Sequence, residues 1–274
     1  MKNKKKSLTL QLFKLFFLEI WRNKQGLSFL FLLPIIFLSI AIYTANEFNI
    51  PIKLYNFTET IKIVLNHKQI LVLYITAAVI GFLSSYYCMV MFQESLSYFK
   101  YCAFIGLPLL NYMIIRILFF IGIVVLITLL VCSIIIFFVP INNIILVYLG
   151  FIFMGFIYGL YGGIVGVITN NFLSSFLMII MLTNLDVGWL QNPVFYSFAD
   201  NTLFIRFLPA FFPCQFIFTS AYTDKINYFC GGVSILYISV LFLILTVIFN
   251  VRIKGLRKSE INLKKIINKK ELEI

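Results

Sequence analysis

The sequence predicts an all-α integral membrane protein with six transmembrane helices. Hydrophobic residues make up 62% of the 274 residues and charged residues only 12%, a balance too apolar for a soluble domain. A helix needs about 20 apolar residues to cross a hydrocarbon core of ~30 Å. Six runs meet this requirement, and they cover residues 26–45, 70–92, 117–139, 144–168, 172–190 and 229–250. Only the fifth run contains a charged residue, Asp186.

The basic residues are distributed unevenly between alternate connections. Seventeen Lys and Arg fall in residues 1–25, 93–116 and 251–274, whereas five fall in the remaining connections. Because basic segments stay on the cytoplasmic side, we expect a multi-pass plasma-membrane protein with both termini in the cytoplasm. The net charge of +12 therefore predicts contact with membrane lipids and no nucleic-acid partner. The abundance of Lys, Ile, Asn and Phe indicates an AT-rich bacterial source.

Residues 7–24 predict a helix that lies in the inner headgroup layer. Apolar residues recur there at helical spacing, at Leu8, Leu12, Leu15, Phe16 and Ile20. Trp21 is suited to the interface, although an unstructured basic tail is the alternative. A single transmembrane domain thus consists of a cytoplasmic interfacial helix in residues 1–25, a six-span bundle in 26–250 and a basic cytoplasmic tail in 251–274.

The outward connection of residues 46–69 contains Pro51 and shows no strong period, and it has room for a short helix around residues 57–65. In the fourth span, Gly155, Gly159 and Gly163 are four residues apart. Small residues at this spacing predict a face on which two membrane helices approach closely. The alternative is flexible glycine with no partner helix.

The cytoplasmic segment of residues 93–116 predicts a short helix suited to a partner protein, ended by Gly106-Leu107-Pro108. Its candidate docking residues are Glu94, Ser95, Tyr98, Phe99, Lys100 and Tyr101. Charged and aromatic side chains of this kind anchor protein interfaces. An ordinary amphipathic loop is the alternative.

The outward segment of residues 191–228 is too apolar for a solvated loop and is interrupted by prolines, among them Pro209 and Pro213. We expect a re-entrant helical hairpin in the outer leaflet. A seventh span is the alternative, but it would place the basic C-terminal tail outside.

Polar residues near the outer end of the fifth span are candidates for a transport pathway. Asn184, Asp186 and Gln191 lie close together in the sequence. An intramembrane carboxylate usually faces protein or water, although Asp186 is close enough to the outer interface to reach it. No catalytic or metal site is predicted: His67 is the only histidine, and the five cysteines lack metal-ligand spacing. A disulfide between Cys214 and Cys230 is the less favoured alternative to packing.

This layout resembles the permease subunits of type-2 ATP-binding-cassette (ABC) exporters. Three short strings carry the resemblance: Glu19-x-Trp21-Arg22-Asn23 followed by Pro34, Gly106-Leu107-Pro108-Leu109 with Arg116, and Leu208-Pro209 with Pro213. It covers nearly the whole chain and depends mostly on the order of elements. In that family the helix between the second and third spans docks on the ATPase, which implies this role for residues 94–101.

The resemblance also implies partners and cargo. The chain has no G-x-x-x-x-G-K-[ST] loop, so we expect it to bind no cofactor and to have no ATPase site of its own. Two ABC ATPase subunits would hold ATP and Mg²⁺, and a second permease copy or a homologous permease would complete the pathway. The family's polysaccharide exporters have a Leu-Gly pair ahead of a Trp at the first span. Its absence here favours export of a peptide or bacteriocin, a drug or a lipid-like molecule.

Two other function classes fit the sequence less well. A membrane-embedded lipid-modifying enzyme usually needs clustered acids and histidines near one membrane face, and the acids here are scattered. An ion-coupled transporter or channel tends to show internal repeats, broken helices or several buried charges. The halves of this chain show no repeat.

Overall fold

The computed structural model describes the backbone of residues 14, 17–18, 21–55, 60–104, 109–169, 171–198 and 203–271. Side chains are described in these ranges except at residues 95–104, 109–114, 196–198, 254 and 256–271. The elements are α1 (Lys24–Thr44), β1 (Asn49–Tyr55), β2 (Thr60–Asn66), α2 (His67–Phe104), α3 (Leu109–Ile135), α4 (Ile144–Ile168), α5 (Phe172–Leu185), α6 (Pro193–Phe198), α7 (Leu203–Arg206), α8 (Phe211–Tyr222) and α9 (Tyr228–Glu271).

Six helical segments in the described part of the chain are long and apolar enough to cross a membrane. They are Lys24–Thr44, His67–Glu94, Ile115–Ile135, Ile144–Ile168, Phe172–Leu190 and Tyr228–Ile253. They coincide closely with the six predicted runs. The prediction of six helices long and apolar enough to cross a membrane is therefore confirmed. The described chain is mostly helical, as expected of an all-α membrane protein, apart from one β-hairpin.

The α2 helix is the most deeply buried of these six candidate spans and packs against α1, α3, α4 and α5. Its closest neighbour is α4. A Cβ placed on Gly162 would lie 2.0 Å from the Ser85 carbonyl oxygen, and one on Gly166 would lie 2.5 Å from the Met89 carbonyl oxygen. Glycine at these two positions allows the backbones to meet. The predicted face lies beside this contact, with Gly155 against Val124, Gly159 against Phe120 and Gly163 against Cys88.

A β-hairpin occupies the connection between α1 and α2. Antiparallel pairing runs from Asn49 opposite Asn66 to Tyr55 opposite Thr60, and Ile50, Ile52 and Leu54 are buried on one face. The expected short helix around residues 57–65 is therefore wrong for Thr60–Leu65, and residues 57–59 lie outside the described ranges. The sequence carried the signal, because Ile61, Ile63 and Leu65 continue the alternation of β1 on the second strand. Pro51 is compatible with a strand at a sheet edge.

The hairpin, the start of α2 and the last turn of α8 lie at one end of the bundle, which we call the hairpin end. The Tyr222 hydroxyl donates a hydrogen bond to the Gln69 carbonyl at 3.2 Å, and the Asn142 amide donates to the Ala221 carbonyl at 2.9 Å. The first bond joins α8 to the beginning of α2, and the second joins the α3–α4 link to α8. The opposite end contains Asn23 and Glu94.

The apolar stretch before α9 forms the short helices α6, α7 and α8. None of these three described helices has the length of a span. Pro213 lies in the first turn of α8, where its missing N–H removes no intrahelical bond. Pro209 lies in the turn that leads into α8. Most residues of α8 are buried, and the helix packs against α4 and α9.

Asn23 separates α1 from the residues that precede it. Its side chain accepts a hydrogen bond from the Gly26 amide at 2.8 Å, which caps α1. Of the predicted interfacial helix in residues 7–24, Lys14, Phe17, Leu18, Trp21 and Arg22 are described as helical, and 7–13, 15–16 and 19–20 lie outside the described residues. Phe17 and Trp21 are exposed and their rings stack with 6.4 Å between centroids.

Candidate functional site

Asp186 is the first residue of a π-helical turn, Asp186–Leu190, that continues α5 toward the hairpin end. Its side chain is 5% exposed, so the carboxyl lies inside the protein. π-Helical turns in α-helices are frequent at functional sites, because the extra residue redirects the side chains around it. Gly188 within the turn packs closely, since a Cβ there would lie 3.2 Å from the Asn184 amide oxygen.

Three donors from three parts of the chain converge on the Asp186 carboxyl. The Tyr158 hydroxyl of α4 donates to Oδ2, and the Ala210 amide donates to the same oxygen at 3.2 Å. The Gln191 side-chain amide donates to Oδ1 at 2.9 Å and to the Ile205 carbonyl at 3.4 Å. We call Tyr158, Asp186, Gln191 and the Ala210 amide the polar junction.

The polar junction connects α4, the end of α5 and the segment that begins α8. A carboxyl group buried in an apolar bundle is costly unless its oxygens accept hydrogen bonds. Here both oxygens accept, so the donors offset the desolvation of the carboxyl. Tyr158 and Gln191 are themselves buried, at 2% and 4% exposure, which leaves no open passage at the junction itself.

The structure brings together two of the three residues predicted for the pathway. Asp186 and Gln191 share the polar junction, whereas Asn184 is exposed and faces a different side of α5. Asn184 therefore takes no part in the polar junction. Two residues along an α-helix correspond to a rotation of about 200°, which turns Asn184 away from the junction.

Asn184 instead lines an apolar groove on the side of the bundle, which we call the lateral groove. It has a volume of about 280 Å³ and lies between α1, α2 and α5. Its lining consists of Phe29, Leu33, Phe37, Ile75, Ala78, Val79, Phe82, Phe176, Ile180, Thr183 and Asn184. Thr183 and Asn184 are its only polar lining residues in the described structure, and the Thr183 hydroxyl is already donated to the Ile179 carbonyl at 2.7 Å.

Aromatic rings form one wall of the lateral groove. Phe176 stacks on Phe29 with 6.1 Å between ring centroids and meets Phe82 edge-on at the same distance. Tyr86 lies beneath them, 5.3 Å from Phe29 and 6.0 Å from Phe176. Such a wall is rigid and offers a large apolar surface, and the Asn184 amide supplies both a donor and an acceptor beside it.

The predicted docking segment is not a separate short helix. Residues 94–101 belong to α2, which continues without a break to Phe104 because no glycine or proline interrupts it after Phe92. Glu94 is half-buried at the opposite end from the hairpin. The side chains of Ser95, Tyr98, Phe99, Lys100 and Tyr101 lie outside the described residues, as do Gly106, Leu107 and Pro108.

Cys214 and Cys230 do not form a disulfide, and both are buried as free thiols. Burial raises the pKa of the Cys214 thiol well above its usual range, and the nearby Asp186 carboxyl raises it further. Within the described ranges, His, Cys, Asp and Glu side chains form no group of three that could hold a metal ion.

A second polar contact set fixes the β-hairpin and was not foreseen from the sequence. The Tyr55 amide donates to the Gln215 side chain at 2.8 Å, and the Tyr55 carbonyl accepts from the Asn227 side chain at 2.8 Å. The Arg206 guanidinium lies 4.5 Å above the Tyr55 ring. No local pattern marks these partners, because they follow Tyr55 by more than 150 residues.

Comparison with known proteins gives no relative: no protein-family model, curated protein or solved structure matches the chain.

Proposed function

We propose that the chain is the transmembrane subunit of an ATP-driven exporter of hydrophobic or amphipathic cargo. The lateral groove is the observation that carries this proposal. It is apolar and rimmed with aromatic rings, it contains one amide, and three spans form it. Ligand sites in proteins have this composition, in which apolar walls give affinity and a few polar groups give orientation. A peptide, a drug or a lipid-like molecule fits this chemistry.

The form of α2 suggests how a cytoplasmic ATPase would act on the groove. At 1.5 Å per residue its 38 residues give a length of about 57 Å, well beyond a hydrocarbon core of ~30 Å. The ten residues after Glu94 would therefore project about 15 Å from the span. Because Ile75, Ala78 and Phe82 belong to the same helix, a push on its projecting end would be transmitted to the groove wall.

We further propose the orientation that the charge distribution favours. Both termini lie in the bacterial cytoplasm, residues 7–24 rest in the inner headgroup layer, and the hairpin end faces outward. On this orientation α6, α7 and α8 form a re-entrant hairpin in the outer leaflet. The short lengths of these helices and the burial of α8 against α4 support this placement, since irregular backbone at membrane depth must be covered by protein.

A second permease, either another copy or a homologous chain, would close the groove. The α1 helix exposes a row of large apolar side chains next to it, at Phe31, Leu32, Ile35 and Ile36. Ligand pockets occur preferentially at interfaces and between the helices of bundles, so a partner on this row would deepen the groove. Two ATPase subunits would then bind ATP and Mg²⁺, and this chain would bind neither and catalyse no reaction.

An ion-coupled transporter is the second candidate, and the polar junction is what favours it. A buried carboxyl that accepts from Tyr158 and Gln191 is a possible proton carrier in a membrane bundle. A lipid-modifying enzyme has less support, because the described part of the chain does not gather acids and histidines at one site.

Co-purification with an ATPase tests the exporter proposal. The chain is expressed with the proteins encoded beside it, and the complex is isolated in mild detergent. We expect an ATPase to co-purify with the wild type and to be lost from the double variant Glu94→Ala with Tyr98→Ala. The matched control is Tyr43→Ala with Glu47→Ala, which changes an exposed tyrosine and glutamate near the hairpin end. If no ATPase associates and the chain transports alone, the exporter proposal is overturned.

A further inference from the structure

A second cavity lies at the hairpin end, between the α7–α8 segment and the first turns of α9. It has a volume of about 350 Å³ and shares no lining residue with the lateral groove. Its apolar lining consists of Leu203, Phe207, Phe212, Phe229, Val233 and Tyr237. Phe229 and Tyr237 are eight residues apart on α9, so the cavity follows this helix for about 12 Å.

Arg206 is the only charged residue among the described lining residues of this cavity. Its guanidinium carbon lies over the Tyr55 ring, 4.5 Å from the ring centroid, and this cation–π contact holds the guanidinium beside the cavity. The Nε atom is buried and has no hydrogen-bond partner among the described residues. Arg206 as a whole is only half-buried, so the rest of its guanidinium is open to the cavity. A guanidinium carries its donors in one rigid plane that matches phosphate oxygens well, so Arg206 supplies a fixed positive charge for an anionic group there.

The cavity opens on a surface that faces lipid in a membrane protein. Phe204, Phe207 and Tyr228 around it are each at least 70% exposed. The Tyr237 hydroxyl is donated to the Phe207 carbonyl at 2.9 Å, so it supports the wall and is not available to a ligand as a donor. Among its described lining residues, the site therefore combines an apolar channel along α9 with one cation, Arg206.

We propose that this cavity binds one anionic phospholipid, with an acyl chain along α9 and the phosphate at Arg206. The charge complementarity and the membrane-facing opening select a lipid over a soluble anion. The bound lipid would bridge the α7–α8 segment and α9, two parts of the chain that also hold Tyr55. This proposal does not depend on the transport proposal, because the lateral groove and the ATPase take no part in it.

Lipid titration of the delipidated full-length chain tests the proposal. The protein in neutral detergent receives dioleoyl phosphatidylglycerol, dioleoyl phosphatidylcholine, dioleoylglycerol or glycerol phosphate. Native mass spectrometry measures the bound fraction, and thermal unfolding measures stabilisation. We expect phosphatidylglycerol to bind most tightly, and dioleoylglycerol and glycerol phosphate to bind little, because the site needs both the phosphate and the chain.

Three variants decide the outcome. Arg206→Gln should weaken phosphatidylglycerol binding by about tenfold, the loss expected for one charge-assisted hydrogen bond. Val233→Phe should weaken it similarly by filling the cavity while the charge remains, and it keeps the test valid if Arg206→Gln fails to fold. Lys225→Gln, which removes an exposed charge near the same end, should bind as the wild type does. Wild-type binding by Val233→Phe, or an equal loss in Lys225→Gln, would overturn the proposal.

Discussion

The Ser85 hydroxyl of α2 donates a hydrogen bond to the Tyr158 carbonyl of α4, with 2.6 Å between the oxygens. Gly162, one helical turn after Tyr158 on α4, lies against the backbone of the same Ser85. The same tyrosine donates its hydroxyl to Asp186. Tyr158 thus connects the central helix pair to the polar junction through its backbone and its side chain at once.

The close contact of α2 and α4 leads to a prediction for Gly162. Gly162→Ala should destabilise the protein by about 1–3 kcal/mol, since its Cβ would lie 2.0 Å from a backbone oxygen and the helices must separate. Gly122→Ala is the control, because nothing lies within 4 Å of a Cβ there, and it should change stability by less than about 1 kcal/mol. Thermal unfolding in detergent measures both. Equal stability of the two variants would contradict the contact.

The polar junction predicts coupling between Tyr158 and Asp186. In a double-mutant cycle of Tyr158→Phe and Asp186→Ala, we expect a coupling energy of about 0.5–2 kcal/mol, the range of hydrogen bonds between membrane helices. Unfolding by denaturing detergent provides the free energies. Tyr161→Phe with Asp186→Ala is the control cycle, because the Tyr161 hydroxyl makes no hydrogen bond in the described structure. Additive effects in the Tyr158 cycle would show that the bond adds nothing to stability.

The lateral groove predicts a steric effect at Ala78. Ala78→Phe should weaken binding of an apolar probe by about tenfold, because the larger side chain occupies the groove. A photoactivatable alkyl diazirine, mapped by peptide mass spectrometry, reports which residues the probe contacts. Ile36→Phe alters the exposed face of α1 outside the groove and should leave labelling unchanged. Undiminished labelling of Phe176 and Ile180 in Ala78→Phe would exclude the groove as the binding place.

The buried thiol of Cys214 predicts both low reactivity and a pH dependence. Its raised pKa keeps it protonated at neutral pH, so maleimide should modify it at less than about a hundredth of the rate of an exposed cysteine introduced by Lys225→Cys. Above about pH 8.5 the unfolded chain ionises this thiol before the folded chain does, so stability should fall as pH rises. Cys214→Ser removes the thiol and should reduce that slope. Rapid labelling of the folded protein would contradict the burial.

The six spans were predictable because each is a local property of an uninterrupted apolar run. The β-hairpin was not predicted, although Ile50, Ile52 and Leu54 alternate with exposed residues. Three apolar positions in each strand are a weak signal, and Pro51 within the first strand weakens it further. The polar junction was only half predictable. Asp186 stands out as a charge in a span, but its partner Tyr158 lies on another helix and no spacing in the sequence links them.

Tyr55 is held by its main-chain atoms, through Gln215 on one side and Asn227 on the other. Such bonds do not depend on which side chains the outward face of the hairpin carries. Pro51 and Val64 are paired and exposed on that face, and neither touches the attachment. The hairpin is therefore a place where exposed side chains can be exchanged, or a recognition tag inserted, while its attachment to the bundle stays the same.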